Sequence, residues 1–198
     1  MKPRFEADDP KLTFPYVSKS SRAFIVPIYP QYHTTLLPDS ILRTESPADF
    51  VEQEPHRNAI RKVYVSRSIF RSLHRGDTIV FYRTGGYYRG VVTTIGIVDG
   101  VYLKISDEAQ FIALCRKRSV FSDSELSEQW NYNKGSRPFI VGFLYAYSLP
   151  KRPTLKELID NGIVRNIESV PRGFEQITQD SLSRILSLSQ ADPRIVVD

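Results

Sequence analysis

One cysteine, Cys115, and one tryptophan, Trp130, stand in a chain of 198 residues that has only three histidines. A single thiol excludes an internal disulfide framework and a cysteine-rich zinc module. His33, His56 and His74 are too scattered to form a His-rich metal site, so neither metal nor cofactor is expected. No apolar run approaches the roughly 18 residues that span a bilayer. The opening MKPRFEADDPKLTFPYV lacks the apolar core of a secretory signal. HExxH, a Walker loop, GxSxG and paired-cysteine spacings are all missing. These absences point to a globular, cytoplasmic protein of a reducing compartment with no membrane partner.

What is present can build a core: 41% of residues are hydrophobic and 25% charged. Basic residues outnumber acidic ones 27 to 22, giving a net charge of +5. Their distribution is uneven. Residues 56–75, HRNAIRKVYVSRSIFRSLHR, contain Arg57, Arg61, Lys62, Arg67, Arg71 and Arg75 and no acid. Such a block attracts phosphate if its cations share a face. Otherwise it is a solvated surface balanced by acids elsewhere.

Residues 1–22 carry three prolines and a polar SKSSR stretch, and read as an arm, linker or strap. An upstream domain beyond them is also compatible with this composition. Residues 23–29, AFIVPIY, read as a strand with Pro27 near an edge or bulge. Residues 60–66 alternate as a strand, with Lys62, Tyr64 and Ser66 on one face and Arg61, Val63 and Val65 on the other. SIFRSLH (68–74) has helical spacing of Ile69, Phe70 and Leu73, ended by Gly76 and Asp77. Strands follow at 78–84 and 91–98, separated by a turn at Gly85 and Gly86, with Gly96 a bulge or close approach. Asp99 and Gly100 signal a hairpin into VYLKI. Helices are expected from 108 and from about 123, a long strand over 138–149, and helices at 155–161 and 178–189. Strands with interspersed short helices make an α+β domain at 23–190, followed by a tail at 191–198.

This order, with AFIVPIYPQYH, PHRNAIRKVYVSRS, LHRGDTIVFYRT, GVVTTIGIVDGVYL, CRKRSVFSDSEL and RPFIVGFLYAYSL, resembles the PUA-like superfamily, in particular its EVE and ASCH branch. It is similar to the PUA-like domain found behind some bacterial GNAT acetyltransferase domains, which makes an acetyltransferase a possible partner. No acetyl-CoA loop signature is present in this chain. The resemblance implies a PUA-like pseudo-barrel, a curved mixed sheet of five to six strands with short flanking helices. It also implies nucleic-acid binding, RNA or DNA, with a base, in some relatives a modified one, held among aromatics. ASCH relatives that hydrolyse modified nucleosides carry G-x-K-x-x-E-x-R, which this chain lacks.

Three groups are candidates for such a site. His56, Arg57, Asn58, Arg61 and Lys62 offer a base-edge amide and phosphate-holding cations, although Arg61 and Lys62 face opposite sides of a strand. Tyr82, Arg83, Thr84, Tyr87 and Tyr88 surround a glycine pair, where aromatics could stack on bases and Arg83 on phosphate. The plain alternative is a hairpin whose tyrosines cover the core. Trp130, in a loop-like stretch with Lys134 and Arg137, could wall a pocket or plug a helix end. The expected base pocket is built from Tyr29, Asn58, Lys62, Tyr82 and Arg83. An amidohydrolase acting on a modified nucleoside, with Lys62 and Thr84 in catalytic roles, is the alternative. A regulatory protein-interaction domain is the third. Cys115 sits in FIALC and reads as a buried small hydrophobe.

Overall fold

Apolar alternation produces six strands that join in one mixed sheet. In the computed structural model, which describes residues 9–42 and 59–197, a short strand β1 (Val17–Ser18) precedes the sheet. The sheet comprises β2 (Ala23–Ile28), β3 (Arg61–Ser66), β4 (Thr78–Arg83), β5 (Val91–Tyr102), β6 (Phe139–Ser148) and β7 (Glu175–Ile177). Their spatial order is β3-β6-β5-β4-β2-β7, with β2 and β4 parallel and every other pair antiparallel. A last strand β8 (Val196–Val197) pairs in parallel with β1, so the two ends of the described chain are tied together. Helices α1 (Pro10–Thr13), α2 (Pro30–Leu36), α3 (Glu108–Cys115), α4 (Asp123–Asn131), α5 (Leu155–Asp160) and α6 (Gln179–Leu188) flank the sheet. This is the α+β architecture expected from the sequence. Among the described residues no helix is long and apolar enough to cross a membrane.

The sheet curls on itself without closing. Phe24, Val26, Ile79, Phe81, Val98, Val141 and Phe143 fill its concave side. Ile25, Val80, Val92 and Ile95 face outward and are covered by Leu155 and Leu158 of α5 and Leu182 and Ile185 of α6. Val63 and Ile140 are covered by Phe111 and Cys115 of α3 and Leu126 and Trp130 of α4. The helix starts follow ordinary capping chemistry: Ser122 and Thr154 form capping boxes with Glu125 and Glu157. Curling brings β3, at one end of the strand order, against β2, near the other. The Tyr64 hydroxyl donates to the Pro27 carbonyl at 2.7 Å across that seam. Pro27 fits there because β7 pairs only with Ala23, Phe24 and Ile25, which leaves the rest of that edge uncovered.

Two local expectations are corrected. Residues 68–74 do not form a helix; they run extended from β3 toward β4. Ser66 Oγ accepts from the Ser68 N–H and Ser68 Oγ from the Phe70 N–H, so side-chain turns take the donors a helix would use. Ile69 is 99% exposed while Leu73 is buried and Phe70 packs on the core, so the three apolar residues do not share one buried face. The Asp99-Gly100 pair is not a hairpin. β5 continues through it to Tyr102, because β6 pairs along both halves of the strand. A bulge between Val98 and Gly100 absorbs the turn-prone residues instead. The bulge expected at Gly96 is present: a Cβ there would meet Phe143 Cδ2 at 2.8 Å.

Candidate functional site

The seam between β2 and β3 opens into a cleft of about 630 Å³. Its floor is Val63, Tyr64 and Val65 of the edge strand β3. One wall is the end of β2 with Tyr29, Gln31, Tyr32 and Leu36; the opposite wall is Val120, Phe121 and Gln129. Arg67, Ser68, Arg172 and Gly173 form the rim. No Asp or Glu is among the described residues that line it.

Local structure explains each wall. Pro30 starts α2 and places Tyr29 at its N-cap position, so Tyr29 and Tyr32 lie one helical turn apart. Their rings meet edge-on at 6.5 Å, and Tyr32 continues to Phe121 at 4.8 Å. The result is a row of three rings, with Tyr29 63% exposed. Burial pushes the Tyr64 hydroxyl pKa upward, aided by nearby Tyr29, so Tyr64 stays a neutral donor to Pro27. At the rim, the Arg67 guanidinium lies 3.9 Å from the Tyr132 ring centroid and donates to the Gln129 carbonyl. Arg172 is exposed, and among the described residues its side chain makes no ion pair or hydrogen bond. The 172–173 loop is seated tightly: a Cβ on Gly173 would lie 2.6 Å from Ser68 Oγ. A second, shallower groove, lined by Ile69, Phe70, Arg71, Ser72, Phe174 and Glu175, shares Arg67, Ser68, Arg172 and Gly173 with the cleft and extends it. Arg71 lies over the Phe139 ring and donates to the Arg137 carbonyl at 2.8 Å.

The structure distributes the sequence-predicted residues among several places. Tyr29 lines the cleft. His56, Arg57 and Asn58 lie outside the described residues. Arg61 is on the opposite face from Lys62; it pairs with Asp99 at 2.6 Å and donates to Tyr102 Oη. Lys62 is only 1% exposed and points into the concave side, its ammonium 5.8 Å from the Tyr145 ring centroid. Tyr82 belongs to the outer core, 1% exposed, and burial raises its pKa. Arg83 ends β4 and Thr84 follows it, both half-buried, with the Thr84 N–H donating to the Ile28 carbonyl. Tyr87 packs on the outer core, and Tyr88 is exposed beside it at 4.8 Å. Trp130 is buried against Phe111 and faces Arg137. Of the expected pocket of Tyr29, Asn58, Lys62, Tyr82 and Arg83, Asn58 lies outside the described residues, and Lys62 and Tyr82 do not come together, because alternation sends them to different layers. Cys115 is buried, and that burial pushes its thiol up to about 12.

Tyr32, Gln31, Phe121, Gln129 and Arg172 were not among the sequence candidates. Tyr32 was within reach, three residues beyond Tyr29 on one helix. Gln31 lies two residues beyond Tyr29, whereas Phe121, Gln129 and Arg172 come from segments 92, 100 and 143 positions beyond it, and nothing local marks them.

A second polar region lies inside the curl. His33 Nε2 and Thr93 Oγ1 are 2.9 Å apart, and Ser40 Oγ contacts Thr94 Oγ1 at 2.6 Å, Ser148 Oγ at 3.0 Å and Tyr145 Oη at 3.3 Å. Lys62 and Tyr145 adjoin this hydroxyl-rich cluster.

No protein-family model matches the sequence, and no curated protein matches it. The fold does have solved counterparts. ASCH from Zymomonas mobilis aligns at a TM-score of 0.56 and 11% identity, over 84% of this chain and 94% of that one. A variant of the same protein gives 0.57 and 12%, over 84% and 97%. The fold is thus PUA-like. Human THYN1 in complex with DNA containing 5-methylcytosine aligns at only 0.46 and 13% identity, over 87% and 100%, too weakly to bear on this chain.

Proposed function

We propose that this PUA-like chain is a nucleic-acid-binding module that receives one base in the seam cleft while the adjoining groove holds the backbone. The observation that carries this reading is the combination at the seam: a row of rings from Tyr29 to Phe121, two carboxamides, and an arginine rim without acids. Stacking needs π faces, base edges need paired donors and acceptors, and phosphates need cations. A base fits a cleft of this size. The base received there would be in some ligands a modified one.

Fluorescence anisotropy with short single-stranded RNA and DNA tests it. Tyr29→Ala removes an exposed ring that supports no core, and should weaken binding about 10-fold, in line with ~1–3 kcal/mol per stacked base. Arg172→Ala should weaken all sequences equally. Unchanged affinity in both variants refutes the reading.

One observation favours a second reading, an amidohydrolase of a modified nucleoside. Lys62 is buried with its ammonium 5.8 Å from the Tyr145 ring centroid, beside a cluster of hydroxyls that could hold a polar substrate. Release of free acid from N-acylated nucleosides by the wild type, and its loss in Lys62→Met, would support this reading over the first.

A further inference from the structure

We infer that the Val65 backbone reads the base, and that the base presents an unsubstituted Watson–Crick edge. This inference rests on the proposed base-binding function and adds the chemistry of recognition.

The argument starts from strand parity. β3 is an edge strand, pairing only with β6. The Tyr145 N–H donates to the Ile60 carbonyl at 2.8 Å, so position 60 faces β6. In an antiparallel ladder alternate residues turn their N–H and C=O the same way. Lys62, Tyr64 and Ser66 therefore bond to β6, while Arg61, Val63 and Val65 turn theirs outward. The Val63 N–H confirms this parity by donating outward to the Arg118 carbonyl at 3.0 Å. Beyond Arg118 the chain leaves the strand edge through Val120 and Phe121, which become the cleft wall. Val65, the next outward residue, lines the cleft and has no hydrogen-bond partner on its outward side among the described residues.

A backbone N–H and C=O left together at an edge form an adjacent donor and acceptor pointing the same way. Buried or half-buried groups of this kind seek partners. The complementary object carries an acceptor beside a donor. Uracil and thymine do so at O4 and N3–H, and adenine at N1 and N6–H. A β-strand would match the same pair. The rings of Tyr29, Tyr32 and Phe121 and the arginine rim favour a base over a peptide. In a duplex that base edge is already paired, so the ligand is single-stranded or extruded. A modification tolerated at this site lies away from that edge.

The test uses single-stranded oligonucleotides with one base among abasic positions: uracil, N3-methyluracil or 5-methyluracil. Wild-type protein should bind uracil and 5-methyluracil alike, and N3-methyluracil roughly 10-fold or more weakly. Val65→Pro deletes the outward N–H without breaking a ladder bond, which an edge strand accommodates. It should bind uracil as weakly as the wild type binds N3-methyluracil, with circular dichroism confirming its fold. The analogue series decides the matter even if that variant does not fold. Equal affinity for uracil and N3-methyluracil, with Tyr29→Ala still weakening both, overturns backbone reading and leaves the base-binding cleft intact. Absence of binding to every oligonucleotide overturns both. Uptake of an extended Thr-Val peptide that no oligonucleotide displaces would make the seam a strand-docking edge and overturn the inference.

Discussion

Asp99 shows how a single residue can contradict its local signal. Beside Gly100 it reads as a turn, yet its carboxylate is 1% exposed and sits among Arg61 at 2.6 Å, Arg75 at 3.4 Å and Lys11 at 3.9 Å. Arg75 also reaches Asp9 at 2.7 Å, which fastens the segment before α1 to the same cluster. Two cations of the basic block thus neutralise a buried acid. Removing one partner of a buried pair costs more than the pair itself contributes, because the remaining charges stay desolvated. The arginines here are partly exposed, so the lower end of the usual range applies. Asp99→Asn should destabilise the protein by about 3 kcal/mol, measured by urea denaturation. A change indistinguishable from zero would mean that water already solvates this cluster.

At the scale of elements, what was legible depended on whether the signal was local. The strand at 60–66 was readable with its faces, because alternation assigns Tyr64 inward and Val63 and Val65 under the helices. The helices expected from about 123, at 155–161 and at 178–189 are present, and their starts are capped by Ser122, Thr154 and Thr178. The 68–74 segment was not: the helical spacing of Ile69, Phe70 and Leu73 was overridden by serine turns and by the need to span from β3 to β4. The seam cleft was half legible. Tyr29 could be singled out, whereas Arg172 and Gln129 arrive through tertiary placement alone. Gly96 was legible as a close approach, and it carries a prediction. A methyl group at this position meets the Phe143 ring at 2.8 Å and the Leu144 carbonyl at 3.3 Å. Gly96→Ala should lower stability by about 2 kcal/mol through overpacking, again by urea denaturation, while leaving oligonucleotide affinity intact in the folded fraction. An effect on affinity with no loss of stability would contradict a packing role.

For the whole molecule, the relevant quantity is where the +5 charge is deployed. The basic block does not act as one face. Arg61 and Arg75 are committed to Asp99, whereas Arg67, Arg71 and Arg172 border the cleft and its groove. Only the second set is placed to displace counterions from a bound strand. Three phosphate contacts on a single strand give a slope of log K against log salt of about −2, at roughly −0.7 per contact. Arg172→Ala should make that slope shallower by about 0.7. Arg61→Ala should leave the slope unchanged and lower stability instead, since its partner is Asp99. Titrations across a salt series separate these outcomes, because position in the sequence block and position on the folded surface predict opposite results for Arg61. A slope that responds equally to both substitutions would mean that binding follows net charge, and the groove would lose its claim to the backbone.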